Sequence, residues 1–493
     1  MAKFEVIDGI AIIPDYVEHI PDDAFLLSDD LEQVVIPDTV QTIGMNAFAA
    51  CKNLRRVVIG SSVTEIGTFA FSECKALESV VFGRSVKTIG NYSFLYCESL
   101  KELFIPDSVQ EIGHGAFSRC YALELVLFGK GVTKIDDYAF EMCSSLIDMI
   151  IPDSVTNIGS GVFHRNDSLQ SLFVGESVRF IGRDLFSYCD RLTEIVVHPK
   201  NKTFDSRGGC NAIINTLTHT LIAGCGVTVI PDDVRIIGDH AFSCCAALTD
   251  IVIPESVYAI GAHTFSYCTN LRELMIPSSV ESIDAGILTY TALTKIVVDE
   301  RNKCFDSRGG CNAIIDSRTN RLIAGCSTTI IPEGVESIYY SAFEGVDVPA
   351  RMTFPNTLKE IYPYAFTSCE TLQSITLPDS IEVLHKLAFA KCPHLSEVNL
   401  GHSLKTIQEE VFGDCVSLRE LVIPASVEMI NDYAFAHCTS LWKVRFEQLT
   451  RLCDAIFYGC PMLVDIHVPE EFVPIYRVDV GEEHSEQIKG YKI

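Results

Sequence analysis

The sequence contains no uninterrupted apolar run of the roughly 18 residues that a membrane-spanning helix needs. Positive charge is also scarce: 38 lysines and arginines stand against 65 aspartates and glutamates, and the formal net charge is −27. Binding to phosphates requires clustered Lys and Arg, so this deficit argues against nucleic acid and anionic membranes as partners. The sequence predicts no nucleic-acid binding and no membrane insertion, and it favours partners that carry basic groups.

Sequence signatures of catalysis and of metal binding are missing as well. There is no Gly-x-Ser-x-Gly elbow, no glycine-rich phosphate loop, no His-Glu-x-x-His pair and no calcium loop. The cysteines never form a Cys-x-x-Cys pair, and histidine is sparse beside them. We therefore expect a protein that is not an enzyme and that uses no cofactor and no metal.

Neither end of the sequence carries a recognisable targeting segment. Met1 to Asp8 lacks the apolar stretch of a secretory signal, and Gly481 to Ile493 is polar and shows no lipidation pattern. If Met1 is the native start, the expected location is the cytoplasm. If a signal peptide was removed, the expected location is outside the cell or on its surface.

What the sequence does contain is one repeat that organises nearly all of it. A small residue and Phe are followed by Cys and then Leu at fixed distances, as in Ala47-Phe48, Cys51 and Leu54. The aromatic site advances by 23 residues at a time from Phe25 to Phe186. It then occupies Phe242, Phe265, Ile287, Phe343, Phe366, Phe389, Phe412, Phe435 and Phe457. One such unit is too small to bury its own apolar face, so neighbouring units must stack around a shared core.

Between the aromatic sites runs a second block with the pattern of a strand. Leu103 and Ile105 alternate with Glu102 and Phe104, which predicts that the first pair faces the core. The proline that follows ends the strand. The Ala-Phe-x-x-Cys segment predicts a short helical or 3₁₀ turn that places Phe in the core. Together the blocks predict a solenoid of about nineteen coils.

The blocks Ile-Pro-Asp-Ser-Val, Ile-Gly and Ala-Phe-Ser-x-Cys-x-x-Leu resemble the BspA-like (Treponema-type) leucine-rich repeat family over nearly the whole chain. The resemblance implies an α/β solenoid: a right-handed superhelix with a parallel β-sheet on its concave face and short helical or 3₁₀ turns elsewhere. It also implies an adhesin-like or scaffold-like binding protein. Residues 1–468 are then the solenoid, with an N-terminal cap over residues 1–30, and residues 469–493 are a C-terminal cap or tail.

The repeat period is broken twice by the same kind of insertion. Phe186 and Phe242 are 56 residues apart, and so are Ile287 and Phe343. The long units therefore cover approximately residues 198–230 and 299–331. Each contains Phe-Asp-Ser-Arg-Gly-Gly-Cys-Asn-Ala-Ile-Ile, followed by a polar tetrad and a Leu-Ile pair. Apolar pairs on both sides of a polar tetrad predict a β-hairpin.

Four charged residues in these long units are secondary candidates for partner contacts: Asp205, Arg207, Asp306 and Arg308. In one interpretation they are exposed on a projecting hairpin that shapes a binding edge. In the other they close a turn through local hydrogen bonds. Near-identical copies 101 residues apart favour a structural role.

Twenty cysteines would suggest a disulfide scaffold in a small secreted protein, but here most of them occupy the repeat site. Asn166, Tyr290 and Val346 fill that same site in other coils, which predicts a packing position and buried free thiols. Two further pairs leave two possibilities open. Cys210 with Cys225, and Cys311 with Cys326, either form disulfides across the hairpin strands or lie in the core as free thiols.

The outward face of the strands carries the candidate binding surface. The fourth residue after the repeat Leu is apolar in coil after coil: Val35, Val58, Val81, Phe104, Leu127, Ile150, Phe173, Val196, Val229, Val252, Met275, Val297 and Ile330. Strand propensity alone accounts for the valines. It does not account for large side chains such as Phe104 and Phe173, and a continuous exposed apolar row is typical of an interaction site.

We therefore expect non-catalytic recognition of a protein partner through the concave sheet. The predicted contact residues are Phe104, Leu125, Leu127, Ile150, Phe173 and Met275, together with the acidic residues Glu102, Asp148 and Glu194. The partner is then expected to present basic groups around an apolar centre. Two alternatives stay open: homo-oligomerisation through the same row, and glycan binding, which would favour exposed aromatic rings.

Overall fold

The computed structural model describes residues 4–480 and 484–492. Residues 1–3, 481–483 and 493, which belong to the expected N-terminal cap and C-terminal tail, lie outside the described residues. The chain forms two compact units, residues 1–248 and 249–493. Each unit is a parallel β-solenoid of many turns with little helix. No helix in the described ranges is long and apolar enough to cross a membrane.

The Leu-x-x-Leu-x-Ile block forms one strand in most coils, which we call a front strand. In the strand Glu102–Ile105, Leu103 and Ile105 are buried, whereas Glu102 and Phe104 are exposed. This alternation confirms the predicted strand faces. In the first unit an N-terminal strand, Glu5–Ile7, pairs antiparallel with the first front strand. The front strands are Ile10–Ile12, Gln33–Val35, Arg56–Val58, Ser79–Val81, Glu102–Ile105, Leu125–Phe128, Asp148–Ile150, Ser171–Val174 and Glu194–Val197.

The front strands of the second unit follow the same pattern. They are Glu273–Ile276, Lys295–Val298, Arg351–Thr353, Ser374–Thr376, Glu397–Asn399, Glu420–Ile423, Lys443–Phe446, Asp465–Pro469 and Ile488–Tyr491. A helix, Val473–Asp479, and 3₁₀ turns at Glu470–Phe472 and Ser485–Gln487 accompany the last strands. Within the helix Tyr476 is buried, and its hydroxyl donates to the carbonyl of Gln448 at 3.0 Å.

A second row of two-residue strands, which the sequence analysis did not anticipate, runs along another side of each unit. We call these side strands. Their second residue is buried in most coils, as Ile112 is, and they pair in parallel from coil to coil. They are His19–Ile20, Thr42–Ile43, Glu65–Ile66, Thr88–Ile89, Glu111–Ile112, Lys134–Ile135, Asn157–Ile158, Phe180–Ile181 and Ile236–Ile237 in the first unit. In the second unit they are Ala259–Ile260, Ser282–Ile283, Ser337–Ile338, Glu360–Ile361, Val383–Leu384, Thr406–Ile407, Met429–Ile430 and Arg451–Leu452.

The Ala-Phe-x-x-Cys segment differs from the expected short helix or 3₁₀ turn. Around Phe48, residues Asn46 and Ala50 have left-handed backbones, with φ of 53° and 56°. The amides of all three residues donate to carbonyls of the next coil at 2.7–3.0 Å. In a helix these amides would donate to carbonyls of the same segment. Alternating backbone conformations direct them to the neighbouring coil instead, so this side also bonds from coil to coil.

The repeat phenylalanines form the centre of each core as stacked rings. In the first unit the ring centroids of consecutive coils, from Phe25 to Phe163, are 4.9–6.4 Å apart. In the second unit the stack from Phe343 to Phe457 has spacings of 4.8–5.9 Å. Each coil contributes one ring to a continuous apolar column that no single coil could close.

The repeat cysteines do more than fill space. The thiol of Cys120 donates to the carbonyl of Phe94, 26 residues earlier, at 3.3 Å, and most repeat cysteines make the equivalent bond. Asn166, at the same site, donates its side-chain amide to the carbonyl of Phe140 at 2.9 Å. Where Cys or Asn occupies it, the site is therefore a hydrogen-bond donor to the preceding aromatic turn.

All twenty cysteines are free thiols in the structure, and only Cys304 and Cys453 are partly exposed. Of the two possibilities open for the hairpin cysteines, the structure shows the core position: Cys210, Cys225, Cys311 and Cys326 are all buried.

Each of the two long repeat units contains an antiparallel hairpin. In the long unit at residues 198–230, Ala212–Asn215 pairs with Thr220–Gly224, and the strand Phe204–Asp205 and the 3₁₀ turn Arg207–Gly209 precede this pair. The long unit at residues 299–331 repeats this arrangement in Phe305–Asp306, Arg308–Gly310, Ala313–Asp316 and Arg321–Gly325. The two adjacent glycines of each turn have positive φ, which favours glycine. A Cβ added to any of them would have no other atom within 4 Å, so the backbone conformation, and not a lack of space, explains the glycines.

A matched pair of substitutions tests which strand face is buried. Phe117 is fully buried in the ring stack, whereas Phe104 is 51% exposed on a front strand. We expect Phe117→Ala to lower the free energy of unfolding by about 3–5 kcal/mol, because it leaves a cavity in the core. We expect Phe104→Ala to lower it by less than about 1 kcal/mol. Urea denaturation measures both, and equal losses would mean that Phe104 is a core residue.

Thiol accessibility tests the packing of the cysteine site. Burial raises the pKa of Cys120 to about 12, so its reactive thiolate is scarce at neutral pH. We expect the native protein to react with a thiol reagent first at Cys304 and Cys453. Under denaturant all twenty cysteines should titrate. Disulfide-linked peptides joining Cys210 to Cys225 in a non-reducing mass spectrum would contradict this assignment.

Candidate protein-binding surface

The first unit carries large apolar side chains on the outward face of four successive front strands. We call Phe104, Leu127, Ile150 and Phe173 the apolar stripe. Phe104 lies in register with Leu127, and Ile150 lies in register with Phe173. The exposed fractions of the first three are 51%, 48% and 62%, while Phe173 is half-buried and packs edge-on against the ring of His198. The stripe is therefore a solvent-facing row that continues from one group of paired strands, which carries Phe104 and Leu127, to the next, which carries Ile150 and Phe173.

Two more apolar side chains widen the stripe on one side. Leu125, in register with Glu102, is 38% exposed, and Ile147, which directly precedes Asp148, is 45% exposed. Ile147 was not among the predicted contact residues. The sequence does show that Ile147 is a bulky apolar residue at a position where the neighbouring coils carry polar residues.

Carboxylates flank the stripe at the beginning of the front strands. Glu102, Asp148 and Glu194 are all exposed, and none forms an ion pair among the described residues. The reason lies in their neighbours: Leu125 stands beside Glu102, and Ser171 lies between Asp148 and Glu194. Ser171 donates its hydroxyl to Asp148 at 2.6 Å, which leaves the charge in place. This edge of the stripe is therefore an uncompensated acidic rim.

A second acidic edge lies where the same strands end. Asp153, Glu176 and His198 follow three successive front strands, and their possible ligand atoms lie within 4.8 Å of one another. Asp153 accepts the backbone N–H of Glu176 at 2.9 Å, and Nδ1 of His198 accepts that of Lys200 at 3.2 Å. The sequence predicts no metal site, and these three residues are not among the candidates named from it. Their spacings of 23 and 22 residues, close to one repeat, indicate that the three residues lie at equivalent positions of successive coils.

Met275, the remaining predicted apolar contact, belongs to the second unit. It is 61% exposed and lines a shallow cavity of about 330 Å³ together with Val252 and Val297. The adjacent Glu273 forms an ion pair with Lys295 at 2.9 Å. The acidic group beside Met275 is thus neutralised, unlike the rim in the first unit.

Comparison with protein families identifies the repeat. The model of the BspA type leucine-rich repeat region matches residues 18–147, 87–213, 223–309, 323–442 and 405–477. The chain belongs to the BspA-type leucine-rich repeat family. Leucine-rich repeat proteins are typically non-catalytic, and the family suggests a protein-binding or surface-protein role. None of the curated proteins compared with the chain matches it.

Several solved bacterial structures are similar to this BspA-type chain. A leucine-rich repeat protein from Bacteroides ovatus is 24% identical, with 94% of this chain and 92% of that one covered and a TM-score of 0.36. One from Eubacterium ventriosum is 21% identical, with 88% and 92% covered and a TM-score of 0.39. A leucine-rich cell surface protein from Faecalibacterium prausnitzii is 20% identical, with 95% and 86% covered and a TM-score of 0.31.

The charged residues of the first hairpin unit bind one another. Arg207 donates from Nε to Asp205 at 2.8 Å and from a terminal nitrogen to the second oxygen of the same carboxylate at 2.6 Å. It also pairs with Asp233, which lies beyond the hairpin. These hydrogen bonds, above all those to Asp205, raise the pKa of the Arg207 guanidinium. The geometry corresponds to the turn-closing interpretation, and it leaves Asp205 and Arg207 only partly exposed.

The second hairpin unit repeats this clamp with one carboxylate fewer. Arg308 binds Asp306 through the same two bonds, at 2.8 and 2.7 Å, and its third contact is the side-chain carbonyl of Asn320 at 3.2 Å. Gly334 stands where the first unit has Asp233. The two clamps therefore differ by one carboxylate on an otherwise common scaffold.

Aromatic rings also line the turns of the first unit, away from the stripe. Tyr92, His114, Tyr138, His164 and Tyr188 contact one another in sequence, with centroids 4.9–6.3 Å apart and rings edge to face. A Cβ added to Gly115 or Gly161 would lie 2.6 or 2.4 Å from a ring of the preceding coil. These rings therefore pack coil against coil, and this packing is a structural role rather than evidence for glycan binding.

Two alanine variants test whether the extra carboxylate, Asp233, matters to the first clamp. Removing Arg207 leaves two facing carboxylates, whereas removing Arg308 leaves one. We expect Arg207→Ala to destabilise its hairpin by about 1 kcal/mol more than Arg308→Ala does. Hydrogen–deuterium exchange of Ala212–Gly224 and Ala313–Gly325 measures the two effects. Equal acceleration of exchange would mean that Asp233 contributes nothing to the clamp.

Proposed function

We propose that this protein recognises a protein partner through the apolar stripe and acidic rim of its first unit, as an adhesin or scaffold does. The single observation that supports the proposal is the row of exposed Phe104, Leu127 and Ile150 on successive front strands. Phe173 ends the row. A contiguous row of large exposed apolar side chains is typical of an interaction site, because leaving such a patch in water is unfavourable.

The acidic rim favours a different chain over a second copy as the occupant. If two stripes packed face to face, the rim of each copy would approach either the rim or the second acidic edge, with Asp153 and Glu176, of the other copy. Glu102, Asp148 and Glu194 of each copy would then be desolvated without a cation. A partner with basic groups around an apolar centre satisfies both features at once. Self-association through the stripe is the alternative, and a glycan would find no exposed ring besides Phe104 and Phe173 on this row.

Site-specific cross-linking distinguishes the two surfaces of the first unit. A photoreactive benzoylphenylalanine at position 104 reports on the stripe. The same residue at position 217, where Leu217 is 87% exposed on the hairpin turn, reports on the other candidate surface. We expect a cross-linked partner from position 104 and none from position 217. The captured protein is then purified, and its affinity is measured directly.

Replacing both rings tests the stripe against that purified partner. We expect Phe104→Ser with Phe173→Ser to weaken binding by about 2–4 kcal/mol, or about 30- to 700-fold in Kd. The melting transition should persist, because neither ring belongs to the core. Leu26→Ser with Leu217→Ser, which removes exposed apolar surface elsewhere, serves as the matched control and should bind normally.

Other outcomes would lead to other conclusions. A stable dimer in sedimentation analysis that dissociates on the Phe104/Phe173 substitution would mean that the stripe pairs two copies. A folded double variant with unchanged affinity would remove the stripe from consideration. The hairpin units, with Asp205, Arg207, Asp306 and Arg308, would then become the candidate surface.

A further inference from the structure

We infer that the binding element of the partner is an amphipathic α-helix lying along the apolar stripe, with Lys or Arg on both flanks of its apolar face. This inference rests on the proposed function, since it assumes that the stripe is the site. It adds the secondary structure, the direction and the charge pattern of the ligand. Three features of the first unit support it.

The first feature is the spacing of the stripe. Its side chains come from successive coils, which neighbouring parallel strands place about 4.8 Å apart, so the three steps from Phe104 to Phe173 span about 14 Å. On an extended ligand, residues on one face recur every 6.6 Å or so, and three steps span about 20 Å. On a helix, one turn rises about 5.4 Å, and three turns span about 16 Å. Only the helix keeps four successive apolar residues within reach of the four stripe residues.

The second feature is the spacing of the rim. Glu102, Asp148 and Glu194 recur on every second coil, at intervals of about 10 Å. Two helical turns rise about 11 Å, so basic residues seven positions apart on one flank of a helix meet each carboxylate in turn. Because none of the three has a cation of its own among the described residues, they present free negative charge to this flank.

The third feature is the charge on the other side of the stripe. Asp153 and Glu176 are exposed where the strands end, and neither forms an ion pair among the described residues. Lys130 occupies the equivalent position one coil before Asp153 but forms no ion pair with it among the described residues, unlike Lys134, which pairs with Glu111 at 2.7 Å. The stripe therefore lies between two acidic edges. A helix with cations on both flanks matches both edges, whereas a helix with one basic side does not.

Three synthetic peptides of equal length test the shape and charge of the ligand. The first places leucine at helical spacing with lysine on both flanks. The second has the same composition with leucine and lysine alternating, which favours a strand. The third is the first peptide with glutamate in place of lysine. Fluorescence anisotropy measures their affinity for the full chain. We expect the Leu–Lys helix to bind at least about tenfold more tightly than the alternating peptide, and the Leu–Glu helix not to bind.

Two charge variants separate the rim from general attraction to an acidic protein. Glu102→Gln with Glu194→Gln removes two rim charges. Glu18→Gln with Glu65→Gln removes two exposed charges elsewhere in the first unit. We expect the rim variant to lose about tenfold in affinity for the Leu–Lys helix at low salt and the control to lose less than about twofold. Equal losses in both variants would overturn the acidic rim as the basis of selection.

The stripe variant distinguishes failure of this inference from failure of the proposed function. If the alternating peptide binds as tightly as the helix, and Phe104→Ser with Phe173→Ser abolishes both, the stripe is the site and its ligand is not a helix. If the Leu–Lys helix binds the variant as well as it binds the unaltered chain, the helix does not lie on the stripe. If the purified partner is also unaffected by that variant, the proposed function itself is wrong.

Discussion

Stacking of coils on one another is the constraint on which the rest of this molecule depends. A unit of 23 residues has too little interior to bury its own apolar side chains, so each coil relies on its neighbours. Front strands, side strands and the amides of the aromatic turns all donate backbone hydrogen bonds to adjacent coils. These bonds hold equivalent residues of successive coils opposite one another. Because equivalent residues lie opposite one another, the repeat phenylalanines stack into a column in the core, and the repeat thiols lie beside them.

The same register turns single residue choices into surfaces. A position that faces outward in one coil faces outward in the next, so a bulky apolar residue repeated over a few coils becomes the apolar stripe. Charge follows the same rule. Some acidic residues pair with a cation of the neighbouring coil, as Glu273 does with Lys295. Where the neighbour is Leu125 or Ser171, the acidic residue keeps its charge available for a partner.

The hairpin units show how an insertion is accommodated without breaking the stack. The clamp of Arg207 on Asp205 fixes the turn that leads into the hairpin, and the hairpin strand Thr220–Gly224 then pairs with a side strand. The second copy keeps the clamp and replaces one carboxylate by Gly334. Conservation of the clamp between the two copies, despite this change, indicates that the turn is needed for the fold and that its outer residues can vary.

The sequence by itself determined the repeat, the strand faces, the column of phenylalanines and the row of Phe104, Leu127 and Ile150. These follow from a fixed period and from alternation along a strand, and both can be read without knowing what lies opposite. Tertiary structure decided whatever depends on a neighbour one coil away. It showed the cysteine site to be a hydrogen-bond donor, the aromatic turn to bond outward rather than within itself, and Arg207 to bind Asp233. Partners 23 or 26 residues apart meet only after the coils have stacked, so no local pattern could reveal these contacts.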